Sequence, residues 1–162
     1  MNITIRNLQQ EDTARLAWIE AESFSMPWSE KDFQDLLSHP YCRYVVALVD
    51  GEIAGCSGYT NICDVANIDN VVVAPDYRGM GVAQAMLREL ISRGREEHVE
   101  AFTLEVRVSN RAAIHVYEKF GFVSEGIRPR FYEKPVEDAN IMWKRDVNDN
   151  NYHSCADAAL LK

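Results

Sequence analysis

The chain is poor in cysteine, and the four it has, Cys42, Cys56, Cys63 and Cys155, stand far apart. No C-x-x-C pair occurs, and His39, His98, His115 and His153 have no ligand-spaced partners. Neither a zinc site nor a disulfide framework is expected; reduced cytosolic thiols are the default, and the histidines read as surface residues. Nothing marks any of the cysteines as a nucleophile. A long basic run is also missing: 17 Lys and Arg face 25 Asp and Glu, for a net charge of −8. Direct nucleic-acid binding, which neutralises phosphates with cations, is disfavoured, whereas an amine or a basic peptide suits such a surface. No apolar run approaches the ~20 residues of a membrane span. The opening Met1-Asn2-Ile3-Thr4-Ile5-Arg6 lacks the basic-then-apolar order of a secretory signal. A cytoplasmic protein with no membrane partner is the expectation.

Two familiar phosphate signatures are absent as well. A Walker loop needs Gly-Lys-Ser/Thr, and no such triplet occurs. A dinucleotide fingerprint needs a third glycine, and Gly79-x-Gly81 is followed by Gln84 at that place. What does stand there organises the chain. Val71-Val72-Val73 reads as a strand buried on both faces. Pro75 and Asp76 break it, and Gly79 and Gly81 permit a tight turn. Ala83, Met86, Leu87, Leu90 and Ile91 then recur at helical spacing. A strand, a glycine turn and a helix start point unpaired amides and a positive dipole end at whatever occupies the turn. A phosphate-bearing ligand at residues 78–84 is the first inference, with an ordinary strand–helix turn as the alternative.

With 162 residues, 47% hydrophobic and 26% charged, the composition is that of a soluble domain with a sizeable core. Repeats and linkers are lacking, so residues 1–147 are expected to form one α/β (α+β) domain, followed by a tail, 148–162, disordered or forming a short helix. Ile3 and Ile5 alternate as a first strand, and Asp12 or Thr13 can cap a helix presenting Leu16, Ile19, Ala21 and Phe24. Ser29 starts a short helix with Phe33, Leu36 and Leu37, stopped at His39-Pro40. Residues 42–49, the turn Asp50-Gly51 and residues 52–61 form a hairpin, in which Gly55 and Gly58 suit close approach or a bulge. Strand 65–74 leads into the glycine turn. A strand at 101–107 precedes a helix capped by Ser109-Asn110 and stopped by Gly121. Two last strands, 122–127 and 139–143, flank an aromatic loop, Arg130-Phe131-Tyr132.

The form Arg78-x-x-Gly81-x-Ala83 after a buried strand resembles the acetyl-CoA pyrophosphate loop of the GNAT N-acetyltransferase superfamily. Leu104-Glu105-Val106-Arg107-Val108-Ser109-Asn110, followed by Ala113, Tyr117-Glu118 and Gly121-Phe122, is similar to the superfamily's late strand–helix unit. Pro27-Trp28-Ser29-Glu30, Tyr132, Glu137-Asp138-Ala139 and Ile141-Met142 resemble the substrate side of the RimI family, bacterial enzymes acting on the N-terminus of a ribosomal protein. The resemblance covers about residues 2–147. It departs at Arg78-Gly79-Met80-Gly81-Val82-Ala83, where RimI members often carry Gln-Arg-Gln-Gly-x-Gly, and at Arg130-Phe131-Tyr132, where Asn-Tyr-Tyr is commoner.

The resemblance implies the GNAT acyl-CoA N-acyltransferase fold: a mostly antiparallel twisted sheet with a splayed parallel strand pair and about four helices. It implies acetyl-CoA as cosubstrate and no metal. Val71, Val72 and Val73 would pair with the pantetheine arm through their backbones; Arg78, Gly79, Met80, Gly81, Val82, Ala83, Gln84 and Asn110 would hold the rest. Glu105 would be the base and Tyr117 the acid; Trp28, Glu30 and Tyr132 would hold the acceptor. The residues alone allow blander roles. Glu105 can be a solvated carboxylate or a partner of Arg107, Tyr117 a core residue, Asn110 simply a helix cap, Trp28 a hydrophobic staple and Tyr132 an interface aromatic. The implied partner is the N-terminus of the eighteenth small-subunit ribosomal protein or another peptide, for a monomer or weak dimer. A small-amine acetyltransferase and a non-catalytic acetyl-CoA-binding module are the competing readings.

Overall fold

The computed structural model describes residues 1–147, so the tail, with Cys155 and His153, lies outside the described residues. Seven strands run β1 Ile3–Asn7, β2 Cys42–Val49, β3 Glu52–Ile62, β4 Val65–Val73, β5 Ala101–Arg107, β6 Val123–Glu133 and β7 Val136–Lys144. Four α-helices are α1 Thr13–Ser23, α2 Glu30–Leu36, α3 Val82–Glu96 and α4 Arg111–Lys119. The strands hydrogen-bond in the order β1-β2-β3-β4-β5-β7-β6. The β1–β2, β2–β3, β5–β7 and β6–β7 ladders are antiparallel. The β4–β5 ladder is parallel and short, from Val65–Ala101 to Asn67–Thr103. This is the mixed α/β architecture expected. Among the described residues no helix is long and apolar enough to cross a membrane.

The chain divides into two compact units: Met1–Asn61 with Ile68–Arg93, and Ile62–Asn67 with Gly94 onward. In the first, Asp50 and Gly51 both adopt positive φ, 48° and 87°, as the expected hairpin turn demands. Its core joins Leu16 and Ile19 of α1 and Phe33 of α2 to Tyr44, Val46, Cys56, Val72 and Ala74. Trp28 and Phe33, the residues before and four after the Ser29 cap, hold their rings 5.4 Å apart, a hydrophobic staple. The Ser29 hydroxyl accepts from the Asp32 amide, and the Asp32 carboxylate accepts from the Ser29 amide at 2.8 Å.

Several expectations change here. Ala21 and Phe24 are exposed, and the buried position near the end of α1 is Glu20. Asp12 sits at the α1 N-cap position without capping it; its carboxylate takes two hydrogen bonds from Arg6, at 2.7 and 2.9 Å, and one from the Gln9 amide. Leu37 is exposed beyond α2. In β4, burial alternates around a buried Val72, so the strand is covered on one face and only half-covered at Val71 and Val73. Gly55 and Gly58 serve close approach, as expected. A Cβ on Gly58 would stand 2.4 Å from the ring of Tyr44, whose hydroxyl donates to Asp69.

In the second unit, Phe102, Leu104 and Val106 of β5 are buried with Ala139 and Met142 of β7. Asn110 caps α4, its side chain accepting from the Ala113 amide. The helix ends in a Schellman motif: the amides of Gly121 and Phe122 donate to the carbonyls of Glu118 and Tyr117, at 3.0 and 3.1 Å. Gly121 supplies the required positive φ of 89°. Arg130-Phe131-Tyr132 is not a loop. These residues belong to β6, where Arg128 pairs with Ala139 but Tyr132 with Glu137, an irregularity that absorbs the extra residues. Arg130, at φ 53°, makes the bend.

Gly58→Ala is expected to lower the unfolding free energy by about 1–3 kcal/mol, since the added methyl overpacks the Tyr44 ring; urea unfolding followed by tryptophan fluorescence reads the loss.

Candidate active site

In the first unit, β4 ends at Val73 and a 3-10 turn at Pro75–Tyr77 leads to Gly79 and Gly81, at φ 78° and 84°. A Cβ on either glycine would meet nothing within 4 Å, so the backbone conformation, not space, demands them. The Ala85 amide donates to the Gly81 carbonyl at 3.0 Å, which sets the start of α3. Val82, Ala83 and Gln84 therefore present first-turn amides with no acceptor inside the helix, at the positive end of a 15-residue dipole. This arrangement fits an anion.

The Arg78 guanidinium is engaged locally: Nε donates to the Val73 carbonyl and Nη2 to Ser23 Oγ, each at 3.0 Å. It braces the turn against the end of β4 and the last residue of α1. Met80 is exposed, and Val82 is buried beneath the helix start. Within this unit Ile68–Val73 forms the edge strand beyond the short β4–β5 ladder, and on it the Val73 carbonyl accepts from Arg78.

Trp28 packs into the core, 5.4 Å from Phe33 and 6.0 Å from Tyr44 between ring centroids. Glu30 is exposed and accepts from Gln34 one turn on. Sequence reasoning passed over Glu20, which is 2% exposed. Its carboxylate accepts from the Trp28 amide at 3.4 Å and from Asn70 Nδ2 at 3.3 Å. Burial pushes its pKa above the usual carboxylate range. Only its place in the apolar stripe of α1 could have signalled it.

The second unit carries Glu105, Asn110, Tyr117 and Tyr132. Glu105 is half-buried on β5, held by its pairing with Ile141 of β7. Tyr117 is buried, and the Schellman motif that ends α4 uses its carbonyl; its ring lies 5.9 Å from that of Phe122. Burial, then the nearby Tyr132, raises the Tyr117 pKa, so its phenol keeps its proton. Tyr132 is also raised, by burial first and the Glu105 carboxylate second, against an opposing pull from Arg107. Tyr132 thus feels the Glu105 carboxylate, and Tyr117 in turn feels Tyr132.

Arg107 and Glu137 complete it. Their ion pair spans 3.2 Å, so Arg107 pairs with Glu137 rather than with Glu105. The other Glu137 oxygen accepts the Ser109 amide at 2.7 Å. Among the described residues no group of His, Cys, Asp and Glu side chains could hold a metal ion.

Comparison with known proteins places residues 13–122 in the family described as "Acetyltransferase (GNAT) family". The chain belongs to the GNAT acetyltransferase family. It is an N-acetyltransferase, and acetyltransferases of this fold use acetyl-CoA. A Bacillus subtilis protein is 39% identical over 140 residues, covering 86% of this chain and 93% of its own. The [Ribosomal protein bS18]-alanine N-acetyltransferase of Escherichia coli K12 is 35% identical over 141 residues, covering 86% and 95%. The crystal structure of the ribosomal-protein-S18-alanine N-acetyltransferase from Escherichia coli superposes with a TM-score of 0.83 at 31% identity, covering 93% and 97%.

In this acetyltransferase, hydrogen bonding by Ser109 foremost, and by Arg107, holds the Glu137 carboxyl below its ordinary value of 4.5. A depressed carboxylate contributes stability above its unfolded pKa that is lost as pH falls through the folded one. Urea stability should decline as the pH drops below 4.5, and Glu137→Gln should flatten that decline.

Proposed function

We propose that this chain acetylates the α-amine of a protein N-terminus, with the N-terminal alanine of ribosomal protein bS18 as its acceptor. The 35% identity to the bS18-alanine N-acetyltransferase of Escherichia coli, over 86% of this chain, carries the reading, and the match of the fold to that enzyme's crystal structure supports the same acceptor. A ribosomal acceptor makes this a cytoplasmic enzyme, with residues 1–147 as its catalytic domain.

Acetyl-CoA supplies the acetyl group as a thioester when bound. The α3 amides at Val82, Ala83 and Gln84, with the Gly79–Gly81 turn, hold its pyrophosphate. Arg78 keeps that turn in shape. Val71, Val72 and Val73 pair with the pantetheine arm as a neighbouring strand would, and a β4 amide steadies the thioester carbonyl oxygen. Asn110, besides capping α4, reaches the cofactor. Trp28 and Glu30 of the first unit, and Tyr132 of the second, are each assigned to the acceptor, with Trp28 acting through the fold of its segment.

Glu105 removes the proton that the amine sheds as it attacks, through a water. An α-amine has a pKa of about 7.7–8.0 against ~10.4 for lysine, so a modest base suffices at neutral pH. Tyr117, kept protonated by burial, donates to the departing sulfur.

The test is turnover of an N-terminal hexapeptide of bS18 beside a polyamine and free amino acids. The peptide should be the preferred acceptor; fast turnover of a small amine with none of the peptide would overturn the acceptor assignment. Glu105→Gln and Tyr117→Phe should each lower kcat by roughly 10²-fold or more while CoA still binds. Unchanged activity in both variants would remove them from the chemistry.

A further inference from the structure

β6 is an edge strand exposed at every position except one, Tyr132. Its own pattern therefore does not explain why that ring is held. The partner lies on β5: the Arg107 guanidinium carbon stands 4.3 Å from the Tyr132 ring centroid. Arg107 Nη1 donates to the Pro135 carbonyl at 2.9 Å and to Glu137 at 3.2 Å, and Nη2 donates to the Lys134 carbonyl at 3.2 Å. All these acceptors lie in the turn and first residues that join β6 to β7. Glu137 faces Tyr132 across the ladder and also takes the Ser109 amide, next to the Asn110 cap. One side chain thus stacks on the ring, closes the hairpin and ties it to the segment leading into α4.

We propose that Arg107 is a positioning residue for acceptor recognition, fixing the Tyr132 ring through the Lys134–Glu137 turn. The inference rests on the acceptor-side role given to Tyr132 above. A planar fork is what the geometry uses: it stacks on the ring while donating from two nitrogens. A lysine keeps the charge and loses both properties. Phe131, exposed beside Tyr132 with its ring 5.0 Å away, meets a different cation, Arg128, 5.4 Å from its ring centroid.

The test is a double-mutant cycle with Arg107→Lys and Tyr132→Leu, measuring KM separately for acceptor and acetyl-CoA. Arg107→Lys should raise acceptor KM roughly five- to tenfold with acetyl-CoA KM little changed. Combining it with Tyr132→Leu should add little to the effect of Tyr132→Leu alone, because Arg107 acts through that ring. Additive effects, or an acetyl-CoA KM rising in step, would overturn the proposal. Should Arg107→Lys fold poorly, Arg107→Gln carries the same expectation, since it still donates to a carbonyl but brings no cation to the ring. Wild-type turnover of the bS18 peptide separates the two claims. If the peptide is not a substrate, the cycle run on whichever amine the enzyme accepts still decides the role of Arg107.

Discussion

A helix cannot satisfy its own first amides, and this chain treats that constraint differently at different helices. At α2 the Ser29 hydroxyl and the Asp32 carboxylate close a capping box. At α4 the Asn110 side chain accepts from Ala113, and Glu137 takes the preceding Ser109 amide. α3 instead begins behind Gly81, a residue with no side chain to offer. α1 also starts without a side-chain cap, at Asp12, so what sets α3 apart is the positive-φ glycine turn before it. Its surroundings hold that start rigid: Arg78 braces the turn from outside, and Val82, Met86 and Leu87 anchor the helix below. Preformed donors of this kind lose little on binding, because the backbone is already ordered.

The second unit holds the groups suited to moving protons, and their environments differ in a useful way. Tyr117 is sealed by burial and stays a donor. Glu105 is only half-buried, on a strand whose neighbouring cation is occupied by Glu137. That pairing turns Arg107 toward Glu137 and away from Glu105. The pair is largely buried, with 26% and 17% of its side chains exposed, and besides its part in stability it sets where other groups stand. The pair joins the end of β5, the approach to α4 and the β6–β7 turn.

Much of this was legible in the sequence because it is encoded locally. Asp50-Gly51, the Ser29 and Asn110 caps, Gly121 at the end of α4 and the Gly79–Gly81 turn each follow from residues within a few positions of one another. The resemblance of Leu104–Asn110 and Tyr117 to the GNAT pattern supplied the candidate chemistry that spacing alone left open. What escaped was set by distant partners. Arg107 and Glu137 are 30 residues apart, and nothing in their neighbourhoods announces the pair. Glu20 drew no reading from the sequence because its partners, Trp28 and Asn70, come from a loop and a strand. The extent of β6 was misread because an irregular register hides the alternation around Arg130. Cys63 and Asp64, both at positive φ without a glycine, make a turn that composition does not flag.

The proposed transfer carries acetyl from acetyl-CoA to an α-amine at a protein N-terminus. Tandem mass spectrometry of one product, from a peptide carrying both an N-terminal alanine and an internal lysine, decides it. Acetyl on the alanine nitrogen and an unmodified lysine are expected. Acetyl on the lysine, with a free N-terminus, would contradict it.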